Sequence, residues 1–189
     1  MLTAAVQSNF NEKNVDPKDI KRFNKQAKEW WDPKGVQHGL HAMNYMRVPW
    51  VLEGLKETNY ISKDATNLEG CLILDAGCGG GIYGLAKLGA KVIGLDCARE
   101  LLDVAQNHLN TQHDIKDKVT YVCETIEEHC LKNENKYDAI VCSEVIEHII
   151  DKNSFLEACI KTLKPGGSIF MTTISRTFAA WFLYKFMGE

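Results

Sequence analysis

The chain has 189 residues, 45% hydrophobic and 25% charged, the make-up of one globular domain with a real core. A net charge of −3 and a pI near 6.1 leave no electrostatic footprint for nucleic acid. Seven cysteines without paired spacing point to reduced thiols, no apolar run reaches the length of a membrane span, and residues 1–14 lack both a signal-peptide core and an Arg-rich transit bias.

Residues 1–15 are polar and expected to be disordered. Asp16 then caps a helix, with Pro17 at the first position and Asp19 in the first turn. Ile20, Phe23, Ala27, Trp30 and Trp31 keep its period, and Asp32-Pro33-Lys34-Gly35 is expected to end it. The two tryptophans read as packing of this helix on the domain, with a share in a lid over a cleft. Residues 40 to about 55 form a second helical stretch, and Pro49 argues against its continuity. Within it, Arg47 is either a surface ion-pair partner or the holder of a ligand carboxylate. Residues 58–70 are a polar linker.

Residues 71–74 are a short apolar strand that runs into Asp75 and a cluster at Gly77, Gly79, Gly80 and Gly81. A helical pattern follows through Tyr83, Leu85, Ala86 and Leu88, which makes a strand, a glycine turn and a helix. The dinucleotide pattern G-x-G-x-x-G fails, because the sixth position from Gly77 is Ile82. A carboxylate two residues before the first glycine suits a cationic ligand better than a pyrophosphate. The stretch resembles motif I of class I methyltransferases, whose cofactor S-adenosylmethionine carries a sulfonium and an ammonium. The alternative is a purely structural turn.

Residues 91–96 are a second strand ending at Asp96, nineteen residues beyond Gly77, where a carboxylate accepts ribose hydroxyls. A helix-capping role for Asp96 is compatible with that. Leu101, Leu102, Ala105 and Leu109 stripe the next helix. Residues 119–123 are a third strand, and Glu124 to His129 should edge an adenine pocket, their carboxylates forming a solvated helix start. Tyr137–Ser143 is a fourth strand, a helix through Phe155, Leu156, Cys159 and Leu163 follows, Lys164-Pro165-Gly166-Gly167 is a turn, and residues 168–174 are a fifth strand. Such alternation predicts an α/β domain with a parallel sheet and a ligand at the strands' carboxyl ends.

The chain resembles the ubiquinone biosynthesis O-methyltransferases. The matching pieces are Trp30-Trp31-Asp32, Leu40-His41-Ala42-Met43-Asn44-Tyr45-Met46-Arg47, Leu74-Asp75-Ala76-Gly77-Cys78-Gly79-Gly80-Gly81, Ser143-Glu144-Val145-Ile146-Glu147-His148, Leu163-Lys164-Pro165-Gly166-Gly167 and Thr172-Thr173-Ile174. The wording around Arg47-Val48-Pro49 and His148-Ile149-Ile150-Asp151 is similar to the mitochondrial branch. The resemblance implies a Rossmann-like class I sheet in the order 3-2-1-4-5-7-6, with five parallel strands present and strands 6 and 7 expected to be missing. It divides the single domain into a helical cap over residues 16–69, a cofactor core over 70–174 and an apolar segment over 175–189.

By the same resemblance Arg47, Gly77, Asp96 and Ser143 fall on S-adenosylmethionine contacts. The implied reaction methylates a catechol or phenol hydroxyl of a polyprenylated ubiquinone precursor, of the 3,4-dihydroxy-5-polyprenylbenzoate and demethylubiquinol types. The implied setting is a multi-subunit coenzyme Q synthesis complex, peripheral on the matrix side of the mitochondrial inner membrane. The other readings are an inactive methyltransferase-fold scaffold in that complex, or a class I methyltransferase for another small molecule.

Glu144, Glu147 and His148 are spaced i, i+3, i+4, which puts them on one face of a helical turn. Two carboxylates and an imidazole suit a divalent ion, with Mg²⁺ favoured by oxygen ligands. The alternative is a pocket wall without metal. The resemblance favours Mg²⁺, since the family's Glu-x-x-Glu-His is taken as a metal site. A chelated catechol would ionise more readily. No residue stands out as a general base. Residues 177–187, rich in Phe, Trp and Leu, are either a core-packing helix or an interfacial one that dips into lipid.

Overall fold

The computed structural model describes residues 14–32, 35, 38–79 and 83–173. Its centre is a sheet of five strands: β1 (Leu72–Ala76), β2 (Lys91–Leu95), β3 (Val119–Val122), β4 (Tyr137–Ser143) and β5 (Leu163–Thr172). All pair in parallel, in the order β3-β2-β1-β4-β5. That is the predicted order for these five. The expectation for residues 177–187 lies outside the described residues.

Both faces of the sheet are covered, so its strands read as apolar runs rather than as alternation. In β4 every residue from Tyr137 to Cys142 is buried. Successive side chains point to opposite faces. Ile73, Ala139 and Val141 therefore pack with Val51 and Leu55 of α2 (His38–Glu57), Leu85 of α3 (Tyr83–Lys87) and Leu102 of α4 (Arg99–Leu109). Their neighbours Leu74, Ile140 and Cys142 pack with Ile126 of α5 (Ile126–Cys130) and with Phe155 and Ala158 of α6 (Lys152–Thr162).

The first helix, α1 (Pro17–Gln26), starts as predicted: the Asp16 side chain accepts from the Lys18 amide, with Pro17 at the first position. It ends earlier than expected, passing into a 3₁₀ turn over Ala27–Glu29 that aims Trp30 inward. Helix α2 runs unbroken through Pro49, against the sequence expectation. The bond that Pro49 forfeits belongs to the carbonyl four residues back, at Tyr45. Tyr45 is 86% exposed, so the missing bond falls on the solvent side of the helix, which continues past it.

Strand β5 begins at Leu163 rather than at 168, absorbing the predicted Lys-Pro-Gly-Gly turn. The register shifts between Tyr137 and Ala139, with Gly166 at φ +81°, so the glycine pair makes a bulge and not a separate turn. Asp138, buried beneath this bulge, accepts from the Leu72 amide and Lys164 Nζ, each at 2.7 Å, and from the Tyr60 hydroxyl. It ties the linker, β1 and β5 together at the end of the sheet opposite the glycine turn.

Ahead of α1, Val15 bridges antiparallel to Ile149. Asn14 donates to Glu127 Oε1 at 2.6 Å and to the Asp151 carbonyl at 2.8 Å, and it accepts from the Asp151 amide. The start of the helical cap is thereby strapped across the carboxyl end of the sheet.

Candidate functional site

A cleft lies at the carboxyl ends of β1, β2 and β4, as the topology predicts, with about 1130 Å³ of empty space including its open mouth. The glycine turn after β1 forms one wall. Gly77 has φ +78° and Gly79 φ +56°, both in the region that disfavours side chains. A Cβ on Gly77 would lie 2.5 Å from Val145 Cγ2, so nothing larger fits. The amides of Gly77 and Cys78 both donate to the Leu95 carbonyl, at 2.8 and 2.9 Å, and the Gly79 amide donates to Asp96 Oδ2 at 2.9 Å. These three amides are consumed within the protein, so they offer nothing to a pyrophosphate. The failed dinucleotide pattern has its structural counterpart here.

Asp96 also accepts from the Ala98 amide at 2.9 Å, through Oδ1. It therefore fixes the glycine turn and the approach to α4, and with the Cys97 amide also bonded to it the carboxylate keeps room for one further donor from a ligand. Burial pushes its pKa up, against the amide bonds from Ala98, Gly79 and Cys97. Asp75, at the carboxyl end of β1, lines the cleft floor. Burial raises its pKa to about 7, with the Arg47 guanidinium opposing and Asp96 adding.

Arg47 comes from α2, on the far wall. Burial lowers its pKa, opposed by Asp75 and Glu144. One of its nitrogens donates to the Leu40 carbonyl at 3.3 Å, while Nε is buried without a partner. It is thus no surface ion-pair residue. Glu144 follows β4 with φ +56°, its amide bonded to the Thr172 carbonyl at 3.0 Å. Its Oε2 is buried and also without a partner. No sequence signal marked this left-handed residue, because a glutamate rarely adopts it.

All four residues assigned to the cofactor by resemblance, Arg47, Gly77, Asp96 and Ser143, line this cleft. So do Glu124 to Glu127, where Thr125 and Glu128 form a reciprocal cap at the start of α5. The solvated acidic cluster expected there needs correcting in part. Glu127 is buried against Asn14, and buried His129 is held between Glu124 and Tyr137.

The expected metal triad needs a larger correction. Glu144 and His148 line the cleft, but Glu147 does not, and it accepts from the Thr173 hydroxyl. His148 Nδ1 lies 3.0 Å from Asp19 Oδ2, with its ring edge-on to Phe23. The segment Ile146–His148 is a 3₁₀ turn rather than α-helix, and Glu144 precedes it in a left-handed conformation. The i, i+3, i+4 face therefore never forms, and among the described residues no group of three His, Cys, Asp or Glu could hold an ion. The three residues as arranged do not fit Mg²⁺.

Residues 74–171 match the family described as Methyltransferase domain. The chain is 41% identical over 165 residues to the human mitochondrial ubiquinone biosynthesis O-methyltransferase, covering 86% of this chain and 45% of that protein. It is 38% identical over 177 residues to the ubiquinone biosynthesis O-methyltransferase of Vibrio parahaemolyticus, covering 93% of this chain and 69% of that one. The chain belongs to the ubiquinone biosynthesis O-methyltransferase family. It spans about half the length of the rat and human members, 48% and 45%. The family's fold is shared with solved methyltransferase-type structures. A DhpI–SAM–HEP complex superimposes with a TM-score of 0.60 at 17% identity, covering 95% of this chain and 74% of that one. Magnesium protoporphyrin IX methyltransferase from Synechocystis PCC 6803, solved with bound SAM, gives 0.54 at 21% identity, covering 77% and 65%.

Proposed function

We propose that the cleft binds S-adenosylmethionine and that the protein is an O-methyltransferase acting on a catechol or phenol hydroxyl of a polyprenylated ubiquinone precursor. The observation that carries this reading is a pair of unmet buried groups in one cleft: the Arg47 Nε donor and the Glu144 Oε2 acceptor. Buried polar atoms are costly without partners. A ligand with both a carboxylate and an ammonium, such as the amino-acid end of this cofactor, would satisfy the two at once. Asp75 fits the same ligand, since a nearby cation would favour its ionised form.

In this reading Arg47 holds the carboxylate, Asp75 and Glu144 face the ammonium, Gly77 lets the backbone approach, Asp96 accepts from the ribose, and Ser143 supports the cofactor from the end of β4. When bound, the cofactor supplies a methyl group on a sulfonium. Transfer would break that carbon–sulfur bond, leave S-adenosylhomocysteine, form a carbon–oxygen bond to the acceptor and pass the hydroxyl proton to solvent. The cap residues Val15, Phe23 and Trp30 line the cleft and restrict water there. A Mg²⁺ among Glu144, Glu147 and His148 has only the resemblance behind it, and would require His148 to leave Asp19 and Glu147 to turn away from Thr173.

The mitochondrial setting is part of the proposal, supported by the mitochondrial names of the rat and human relatives. So are peripheral contact with the inner membrane and a place in a coenzyme Q synthesis complex, which suit a lipid-soluble acceptor. Among the described residues no helix is long and apolar enough to cross a membrane. Calorimetry with S-adenosylhomocysteine, followed by an assay of methyl transfer to a polyprenylated catechol, tests the reading. No binding overturns it. Binding without turnover favours the scaffold alternative.

A further inference from the structure

Trp30 is 4% exposed, lines the cleft, and carries an indole N–H that is buried without an acceptor. The ring itself is well fixed. It packs on Ala27, Ala98 and Leu101, His41 lies edge-on to it, and His41 Nε2 is 2.8 Å from the Trp30 carbonyl. Its Cζ2–Cη2 edge lies over Gly79: a Cβ there would be 2.5 Å from Cζ2, 2.9 Å from Cη2 and 3.6 Å from Cε2. Cε2, the third-nearest atom, bonds directly to the ring nitrogen, so the N–H lies next along the ring from the edge that meets the glycine.

Gly79 is also the residue whose amide Asp96 holds. An unused donor and a carboxylate with one lone pair to spare thus sit beside one glycine, and both residues line the cleft. A hydroxyl is the group that serves both, since it donates to one and accepts from the other. We propose that the Trp30 indole N–H donates to the ribose of the bound adenosyl cofactor, at the hydroxyl from which Asp96 accepts. The inference rests on the cleft being an adenosylmethionine site. It goes beyond a lid-packing role, for which a phenyl ring would serve.

The test compares S-adenosylhomocysteine with its 2′,3′-dideoxyribose analogue by calorimetry, in wild type and in Trp30→Phe. Loss of one hydrogen bond should weaken the first ligand about five- to tenfold and leave the second unchanged. Equal affinity of both proteins for S-adenosylhomocysteine overturns the inference, as does an equal loss with both ligands, which would mean repacking. Failure of wild type to bind S-adenosylhomocysteine overturns the functional reading itself. A second readout needs no Trp30 variant. In ¹⁵N-tryptophan protein, with resonances assigned by elimination through Trp31→Phe, Trp50→Phe and Trp181→Phe, the Trp30 indole proton should shift downfield on saturation with S-adenosylhomocysteine. An unmoved resonance overturns the inference.

Discussion

Asp96 Oδ2 accepts the Gly79 amide at 2.9 Å, so the carboxylate assigned to the ribose also holds the turn that walls the cleft. The same side chain accepts from Ala98 at the start of α4. Asp96→Ala should therefore do two things. It should weaken S-adenosylhomocysteine binding by on the order of 2–3 kcal/mol, as for bonds to a charged group, and lower the melting temperature of the ligand-free protein. Calorimetry and thermal melting separate the effects. Weakened binding with an unmoved melting temperature would contradict the turn-holding role.

Gly77→Ala meets two obstacles, a φ of +78° and the Val145 side chain 2.5 Å from the new Cβ. It should destabilise by about 2 kcal/mol in urea unfolding. Gly77→Ala combined with Val145→Ala should recover only the part due to the clash, relative to Val145→Ala alone. Full recovery would mean that the backbone carries no strain there.

Asp75 makes stability depend on pH. Burial raises its pKa from 3.8 to about 7 in the folded protein. Between about pH 4 and 7 the unfolded chain has released this proton and the folded chain keeps it. Its contribution therefore favours folding at the acid end of that window and is lost as pH rises through 7. Asp96 acts in the same sense, its pKa also being raised by burial. Asp75→Asn should flatten the decline in unfolding free energy across this window. An unchanged pH profile would place the carboxyl outside the buried environment described.

Ligand-free protein should show no saturable Mg²⁺ binding at Glu144, Glu147 and His148, because His148 is engaged by Asp19 and Glu147 by Thr173. Titration calorimetry checks this. A saturable site abolished by Glu144→Ala with Glu147→Ala would overturn the arrangement.

Asn14 is 3% exposed and makes three hydrogen bonds with Glu127 and Asp151. Asn14→Ala leaves those groups unpaired and should cost about 2 kcal/mol. Amide exchange should quicken over α1 more than over β4. Uniform quickening would mean that the strap is no separate unit.

The sheet was readable from the chain because each strand is a short apolar run between helical periods, and parallel order follows from that alternation. Asp75, Gly77 and Asp96 were readable because strand ends beside a glycine turn fix where their atoms go. Other features depended on contacts distant in sequence. Pro49 falls where Tyr45, four residues back, faces solvent, and buried Glu127 is bonded by Asn14. Trp30 was visible as an aromatic, but its inward aim depends on the 3₁₀ turn before it, which periodicity does not reveal. The Glu144, Glu147 and His148 spacing misled because it assumed an α-helical turn, where the backbone bends left-handed at Glu144 and then tightens.

The strap at Asn14 also orders events during folding. Its partners lie 113 and 137 residues further along the chain. Contacts of such span must wait for the closure of a very long loop, so they form late. During synthesis the strap has nothing to fasten to until residue 127 has left the ribosome, and it is complete only after residue 151 has. The glycine turn and Asp96 can be assembled well before then, but the cleft stays open on its cap side. A nascent chain therefore acquires its glycine turn and Asp96 before the cap can close over them.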